Sequence, residues 1–198
     1  HRAVRSRSGT IENRRDALVF GTMLNRLHAL KKPTLARVHG AAFAGAMGLI
    51  AVCDIAVASV DAQFSVSEVR LGLTPATISP YVLAAMGERA AHRYCLTAER
   101  FDAKEAHRIG FVHELAQPEA LDAAVNAIIG QLLQCAPGAQ AVTKDLIRSV
   151  AHRSVTPELM QEMAGRIARA RASVEGREGA RAFLEKRPAA WVKGQGNR

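Results

Sequence analysis

Acidic residues, aromatics and paired cysteines are all scarce in this chain, and each shortage argues against a class of protein. The three cysteines, Cys53, Cys95 and Cys135, stand far apart and form no CxxC pair. A zinc site or disulfide framework is therefore not expected, and a reducing, cytoplasmic setting is the default. Aromatics make up 5% of the chain, so there is no stacking platform for bases. Only 18 acidic residues face 27 basic ones, giving a net charge of +9. The arginines are scattered rather than gathered into a stripe (Arg2, Arg5, Arg7, Arg14, Arg15, then many towards the C-terminus), so nucleic acid is not an expected partner. A long apolar run is also missing. The stretch Ala41 to Val60 is broken by Asp54 and falls short of the roughly 18 residues that a membrane span needs. No signal peptide is legible in the polar, basic first fifteen residues. His1 in place of Met suggests a processed, tagged or truncated product.

What remains is a chain of 198 residues with a 48% hydrophobic composition, enough for one sizeable core. It is organised around PTLARVHGAAFAGAMGLIAVCD, from Pro33 to Asp54. Thr34 to Val38 reads as a short buried strand that His39-Gly40 breaks. Small residues then lead into a buried helix starting at Gly45, and Asp54 to Ser59 reads as a second strand. Gly, Ala and Met at the junction let a ligand approach the backbone, where the first helical amides lack internal partners.

On either side the pattern is mixed and then helical. Ile11 to Leu30 has helical spacing, and Ala62 to Ser67 reads as a strand. Glu68 to Pro75 reads as a loop with one carboxylate at its head, and Ile78 to Met86 and Ala90 to Thr97 as packed helices. Asp102 to Glu105 is a capping box, Gly110 a helix-ending glycine, and Phe111 to His113 a last strand. From Pro118 the text is helical, with Leu121, Val125, Ile128, Ile129, Leu132 and Leu133 on one face. Further helices are expected over Ala139 to Ala151, from Thr156-Pro157-Glu158 onward, and over Arg177 to Lys186. The change in texture near residue 115 divides the chain into 1–115 and 116–198. His39, His92, His107 and His113 have no metal-ligand spacing, and no metal is expected.

Three passages, KPTLARVHGAAFAGAMGLIAVCDIAVAS, AQFSVSEVRLGLTPA and LTAERFDAKEAHRIGFVHE, together with the closing EGREGARAFLEKRPAAW, resemble the enoyl-CoA hydratase/isomerase (crotonase) superfamily. The resemblance implies an α/β fold, a crotonase-like spiral of ββα units followed by C-terminal helices that mediate oligomerisation. It also implies acyl-CoA as substrate, a homo-trimer or hexamer, and no permanently bound cofactor, with coenzyme A arriving as part of the thioester. Matched residue by residue, Gly45 would supply a backbone N–H to the oxyanion hole, and Glu68 would be a catalytic acid/base. Ala44, Gly48, Arg70, Leu73, Ala76, Phe183 and Lys186 would contact substrate. Arg70 has the chemistry to hold a substrate carboxylate, and a solvated loop arginine is the plainer reading.

Two departures from the family pattern matter. Gly48 stands where the family has a second glutamate. A single carboxylate can add water by taking and giving a proton in turn, or can shuttle a proton along an allylic system. The N-terminal part of the family fold, with its early strands, part of the CoA site and the second oxyanion donor, is almost wholly absent, which puts that donor at or before the first few residues. The combination of AMGLIAVCDIAVAS with SEVRLGLTPATISP resembles bacterial members assigned to methylglutaconyl-CoA-type hydration. The expected activity is therefore hydration of a 2-enoyl-CoA, branched or glutaconyl-type, in fatty-acid, leucine or isoprenoid breakdown. Δ3,Δ2-enoyl-CoA isomerisation through Glu68 alone is the first alternative, and a catalytically impaired CoA-binding or scaffold remnant is the second.

Overall fold

A computed structural model describes residues 9–192. The position expected for the second oxyanion donor, at or before the first few residues, lies outside the described residues. The chain forms two compact units. The first runs to Val125, apart from Lys31–Pro33; the second is Lys31–Pro33 and the chain from Asn126.

Helix α1 (Thr10–His28) opens the first unit and turns Phe20, Leu24 and Leu27 towards the core, at the spacing of one helical face. Strand β1 (Leu35–Val38) is followed by β2 (Ala41–Phe43), α2 (Gly45–Ala51), β3 (Ile55–Ser59) and β4 (Gln63–Ser65). A short 3-10 turn (Glu68–Leu71) leads to α3 (Ser79–Thr97), β5 (Phe101–Asp102), α4 (Ala103–Arg108) and β6 (Glu114–Ala116). The strands sort into two three-stranded sheets, β1-β3-β6 and β2-β4-β5. Each of the first two passes of the chain leaves one strand in each sheet, with the corner at Gly40, whose φ of 65° suits glycine. This alternation is the ββα spiral that the sequence led us to expect. Phe64, Met47 and Leu24 are fully buried between the sheets and helices, each contributing about 2 kcal/mol.

Several elements differ from expectation. The turn of small residues after Gly40 contains a strand, β2, which pairs in parallel with β4, and β5 adds a two-residue antiparallel partner. Phe111 to His113 is not a strand. Phe111 and Val112 instead donate their N–H groups to the Ala106 carbonyl and close the end of α4, and the ladder to β3 begins at Glu114. The capping box is half formed. Asp102 accepts the Glu105 N–H, but the Glu105 carboxylate turns to the Tyr94 hydroxyl and the Arg108 guanidinium. The two helices expected between Ile78 and Thr97 run as one span broken at Gly87, where φ is 77° and ψ is 158°.

Helix α5 (Leu121–Leu133) carries the chain across the boundary into the second unit, which then contains α6 (Pro137–Val150), α7 (Pro157–Ala172) and α8 (Val174–Leu184). The Thr156 hydroxyl caps α7 as expected, accepting from Leu159 N–H. On α5 only Leu121 is buried; Val125, Ile128 and Leu132 of the predicted apolar face are half-buried, while Ile129 and Leu133 are exposed, Leu133 at 66%. Helix α8 starts at Val174, capped by Ser173, and stops at Leu184, leaving Lys186 beyond it with φ 53°. No helix among the described residues is long and apolar enough to cross a membrane.

Candidate active site

Strands β2 and β4 run parallel, with Phe43 beside Ser65, so the chain leaves both at the same edge. The Ala44 N–H donates to the Ser65 carbonyl at 2.9 Å and extends that pairing by one step. The two segments that follow are α2, beginning at Gly45, and the 3-10 turn, beginning at Glu68. Both residues expected to carry the chemistry therefore emerge from the C-terminal ends of neighbouring parallel strands, where α/β folds commonly place ligands.

The turn into α2 is strained. Ala44 adopts φ 49° and ψ −118°, a conformation that non-glycine residues rarely enter and that costs on the order of 1–3 kcal/mol. The strain is held by the Ser65 bond on one side and by Met47 N–H donating to the Ala44 carbonyl on the other. Its result is a Gly45 N–H with no hydrogen-bond acceptor among the described residues. The Phe20 ring lies against Gly45: a Cβ there would sit 3.3 Å from Phe20 Cζ.

Glu68 is half-buried at the head of its turn, which closes through Leu73 N–H donating to the Glu68 carbonyl and Gly72 N–H to that of Val69. Its Oε2 is buried and has no hydrogen-bond partner among the described residues. Burial pushes the carboxyl above its ordinary 4.5, and a bond from its own backbone N–H pulls partly back. The Cys95 thiol of α3 is pushed up by burial and by the charge of Glu68, which marks it as a neighbour of the carboxylate.

Gly48 lies one turn beyond Gly45 and is buried. A Cβ there would stand 2.3 Å from Ile78 Cγ2, 2.9 Å from Ile78 Cβ and 3.4 Å from Leu24 Cδ1. The volume that a side chain at position 48 would need is filled by hydrocarbon, so Gly48 is covered by Ile78 and Leu24. Arg70, Leu73 and Ala76 are exposed, Leu73 at 55%. Arg70 has no ion-pair partner among the described residues. Ala76 accepts the Ser79 hydroxyl through its carbonyl. Phe183 and Lys186 belong to the second unit, where both are exposed, Phe183 at 83%.

Sequence reasoning missed Phe20, Leu24, Ile78 and Cys95. Their only signal was apolar periodicity, which marks a residue as inward without saying what it meets. No cluster of three or more His, Cys, Asp or Glu side chains suited to a metal occurs among the described residues.

Residues 11–195 match the family model described as enoyl-CoA hydratase/isomerase, and the chain belongs to that family. The crystal structure of an enoyl-CoA hydratase from Shewanella pealeana superposes with a TM-score of 0.89 at 43% identity, covering 94% of this chain and 69% of that one. A crotonyl-CoA hydratase of Syntrophomonas wolfei is 34% identical over 170 residues, which is 84% of this chain and 64% of its own length. A short-chain-enoyl-CoA hydratase of Clostridium acetobutylicum is 34% identical over 139 residues, 70% of this chain and 53% of its length. The chain thus spans between about half and two thirds of these two curated relatives.

Proposed function

We propose that this chain carries the acid/base half of an enoyl-CoA hydratase, with Glu68 as the proton carrier and the Gly45 N–H as an oxyanion donor. The observation that carries the reading is the buried, unpartnered Glu68 Oε2 on the segment leaving the strand beside the one that leads to the unpartnered Gly45 N–H. A carboxylate whose affinity for protons is raised by burial is suited to take one and return it. In the reaction, Glu68 accepts a proton from water as the oxygen bonds to C3 of the 2-enoyl thioester. The electron pair moves to the thioester oxygen, against the Gly45 N–H. The proton then passes from Glu68 to C2 on the same face and the carbonyl re-forms. A fixed donor aimed at the developing charge lowers such a barrier by about 3 kcal/mol. The likeness to a crotonyl-CoA hydratase and a short-chain-enoyl-CoA hydratase supports hydration. A branched or glutaconyl-type acyl group is the finer reading, with the exposed and unpaired Arg70 available to a second carboxylate.

A second reading, Δ3,Δ2-enoyl-CoA isomerisation, is favoured by one observation: Ile78 fills the space at position 48, so no second carboxylate can stand there. Glu68 would then move one proton from C2 to C4. Parallel assays of 2-enoyl-CoA hydration and 3-enoyl-CoA isomerisation decide between the two. Glu68→Gln should abolish whichever is present while leaving the fold intact; full hydration in that variant overturns the assignment. A folded wild-type chain inert towards both substrates would instead indicate an impaired CoA-binding remnant. For assembly we propose a homo-trimer or hexamer, supported by Phe183, Leu184 and Val174 on α8, which are 83%, 79% and 77% exposed. Sedimentation velocity tests it, and a monomer at micromolar concentration contradicts it.

A further inference from the structure

Outside the proposed site, a cleft of about 630 Å³ lies between the second half of α3 and α4. Beyond the break at Gly87, Arg89, Ala90, Arg93, Tyr94 and Thr97 share one face of α3, and Glu105, Arg108 and Ile109 answer from α4. The floor is apolar, with Met86 and Tyr94 at 5% and 2% exposure and Ala90 and Ile109 beside them. The rim carries three guanidinium groups, Arg89, Arg93 and Arg108, with His92 beside them.

The carboxylates nearby are already occupied. Glu105 accepts from the Tyr94 hydroxyl and from Arg108 Nε and Nη2. Glu99 accepts from Arg93 Nε and Nη2, and Glu88 faces His92 at 3.9 Å. These bonds leave Nη1 of Arg93 and of Arg108 without a carboxylate. Arg89 has no ion-pair partner at all among the described residues. Arg93 is also steadied over the Tyr94 ring, 5.2 Å from its centroid.

We infer that this cleft binds a small organic anion with an apolar body, its charge on Arg89 and Arg93 and its hydrocarbon over Met86, Ala90 and Ile109. The volume falls in the range of small-molecule sites, and planar guanidinium donors suit a carboxylate or a phosphate monoester alike. The site shares no residue with the proposed active site, so it stands or falls separately.

Calorimetric titration of the whole chain with octanoate, octyl phosphate, octanol and inorganic phosphate tests it. Octanoate or octyl phosphate should saturate one site per chain, and the stronger of the two identifies the headgroup. Octanol and inorganic phosphate should bind at least about tenfold more weakly, each lacking one half of the recognition. Arg89→Ala should weaken the anion by about tenfold with no change in melting temperature, because it breaks no ion pair. Ala90→Trp, which fills the floor, should remove binding. Unchanged affinity in Arg89→Ala, octanol binding as tightly as the anions, or no saturation by either anion up to about 1 mM overturns the inference.

Discussion

Glu68 in the first unit and Glu175 and Glu178 in the second are held in opposite ways. In the first, glycine makes room for side chains. Gly45 lies under Phe20 and Gly48 under Ile78 and Leu24, and the carboxyl of Glu68 is buried without a partner for one oxygen. In the second, one glycine makes room for a polar clasp. Gly138 admits the Glu175 carboxylate, which accepts the Gly138 and Ala139 N–H groups at 2.9 and 2.8 Å and caps α6. Glu178 binds Arg187 through two nitrogens and also accepts Ala190 N–H. The first unit therefore leaves polar capacity open at its centre, as a site must. In the second, the carboxylates of Glu175 and Glu178 are satisfied by backbone N–H groups and an arginine.

The sharpest way to break this contrast is to put a side chain at position 48. Gly48→Ala drives a methyl group into Ile78 and should cost about 3 kcal/mol, read by denaturant melting. Adding Ile78→Ala should make the double variant less unstable than the sum of the single changes, by at least about 1 kcal/mol. Strict additivity would mean that Ile78 does not occupy that space.

A smaller effect is expected at the polar clasp of the second unit. Glu175→Ala leaves two N–H groups of α6 unpaired and should cost about 1 kcal/mol, comparable to losing an N-cap. No loss of stability would show that water replaces the carboxylate without penalty.

The pH dependence should differ in sign between two carboxylates, Glu68 of the first unit and Glu178 of the second. Glu68 holds its proton more tightly folded than unfolded, so its contribution is present below about 4.5, the unfolded value, and is lost as pH rises through the folded value. Glu178 is held down to about 2 by Arg187, so its contribution is present above the unfolded value and is lost as pH falls towards 2. Melting Glu68→Gln against the wild type across pH 3–7 should show the wild type losing ground as pH rises. A flat difference would place the carboxyl in water.

The smallest change is expected at the exposed end of α8. Phe183→Ser should alter the stability of the isolated chain by less than about 0.5 kcal/mol, since the ring is 83% exposed. Its effect should fall on self-association, read by sedimentation.

The parts of the fold legible in the sequence are those encoded by neighbours in the chain. Thr156-Pro157 and Asp102 start helices because their side chains reach backbone groups within one turn, and both caps form. Strand β2 and strand β5 were not legible, because Ala41–Phe43 and Phe101–Asp102 have little strand character of their own and exist by pairing with β4. The site was legible to the same extent. Gly45 and Glu68 stand out through motifs, and β2 and β4 then bring their segments to one edge. That Gly48 is covered by hydrocarbon could not be read, because the covering residues come from α1 and from the turn into α3.

The most direct measurement is a crystal structure of the Glu68→Gln variant with a bound 2-enoyl-CoA. The account predicts the thioester oxygen within hydrogen-bonding distance of the Gly45 nitrogen and the substituted side chain over C2 and C3. A thioester oxygen turned away from that amide, or an acyl chain out of reach of position 68, would contradict it.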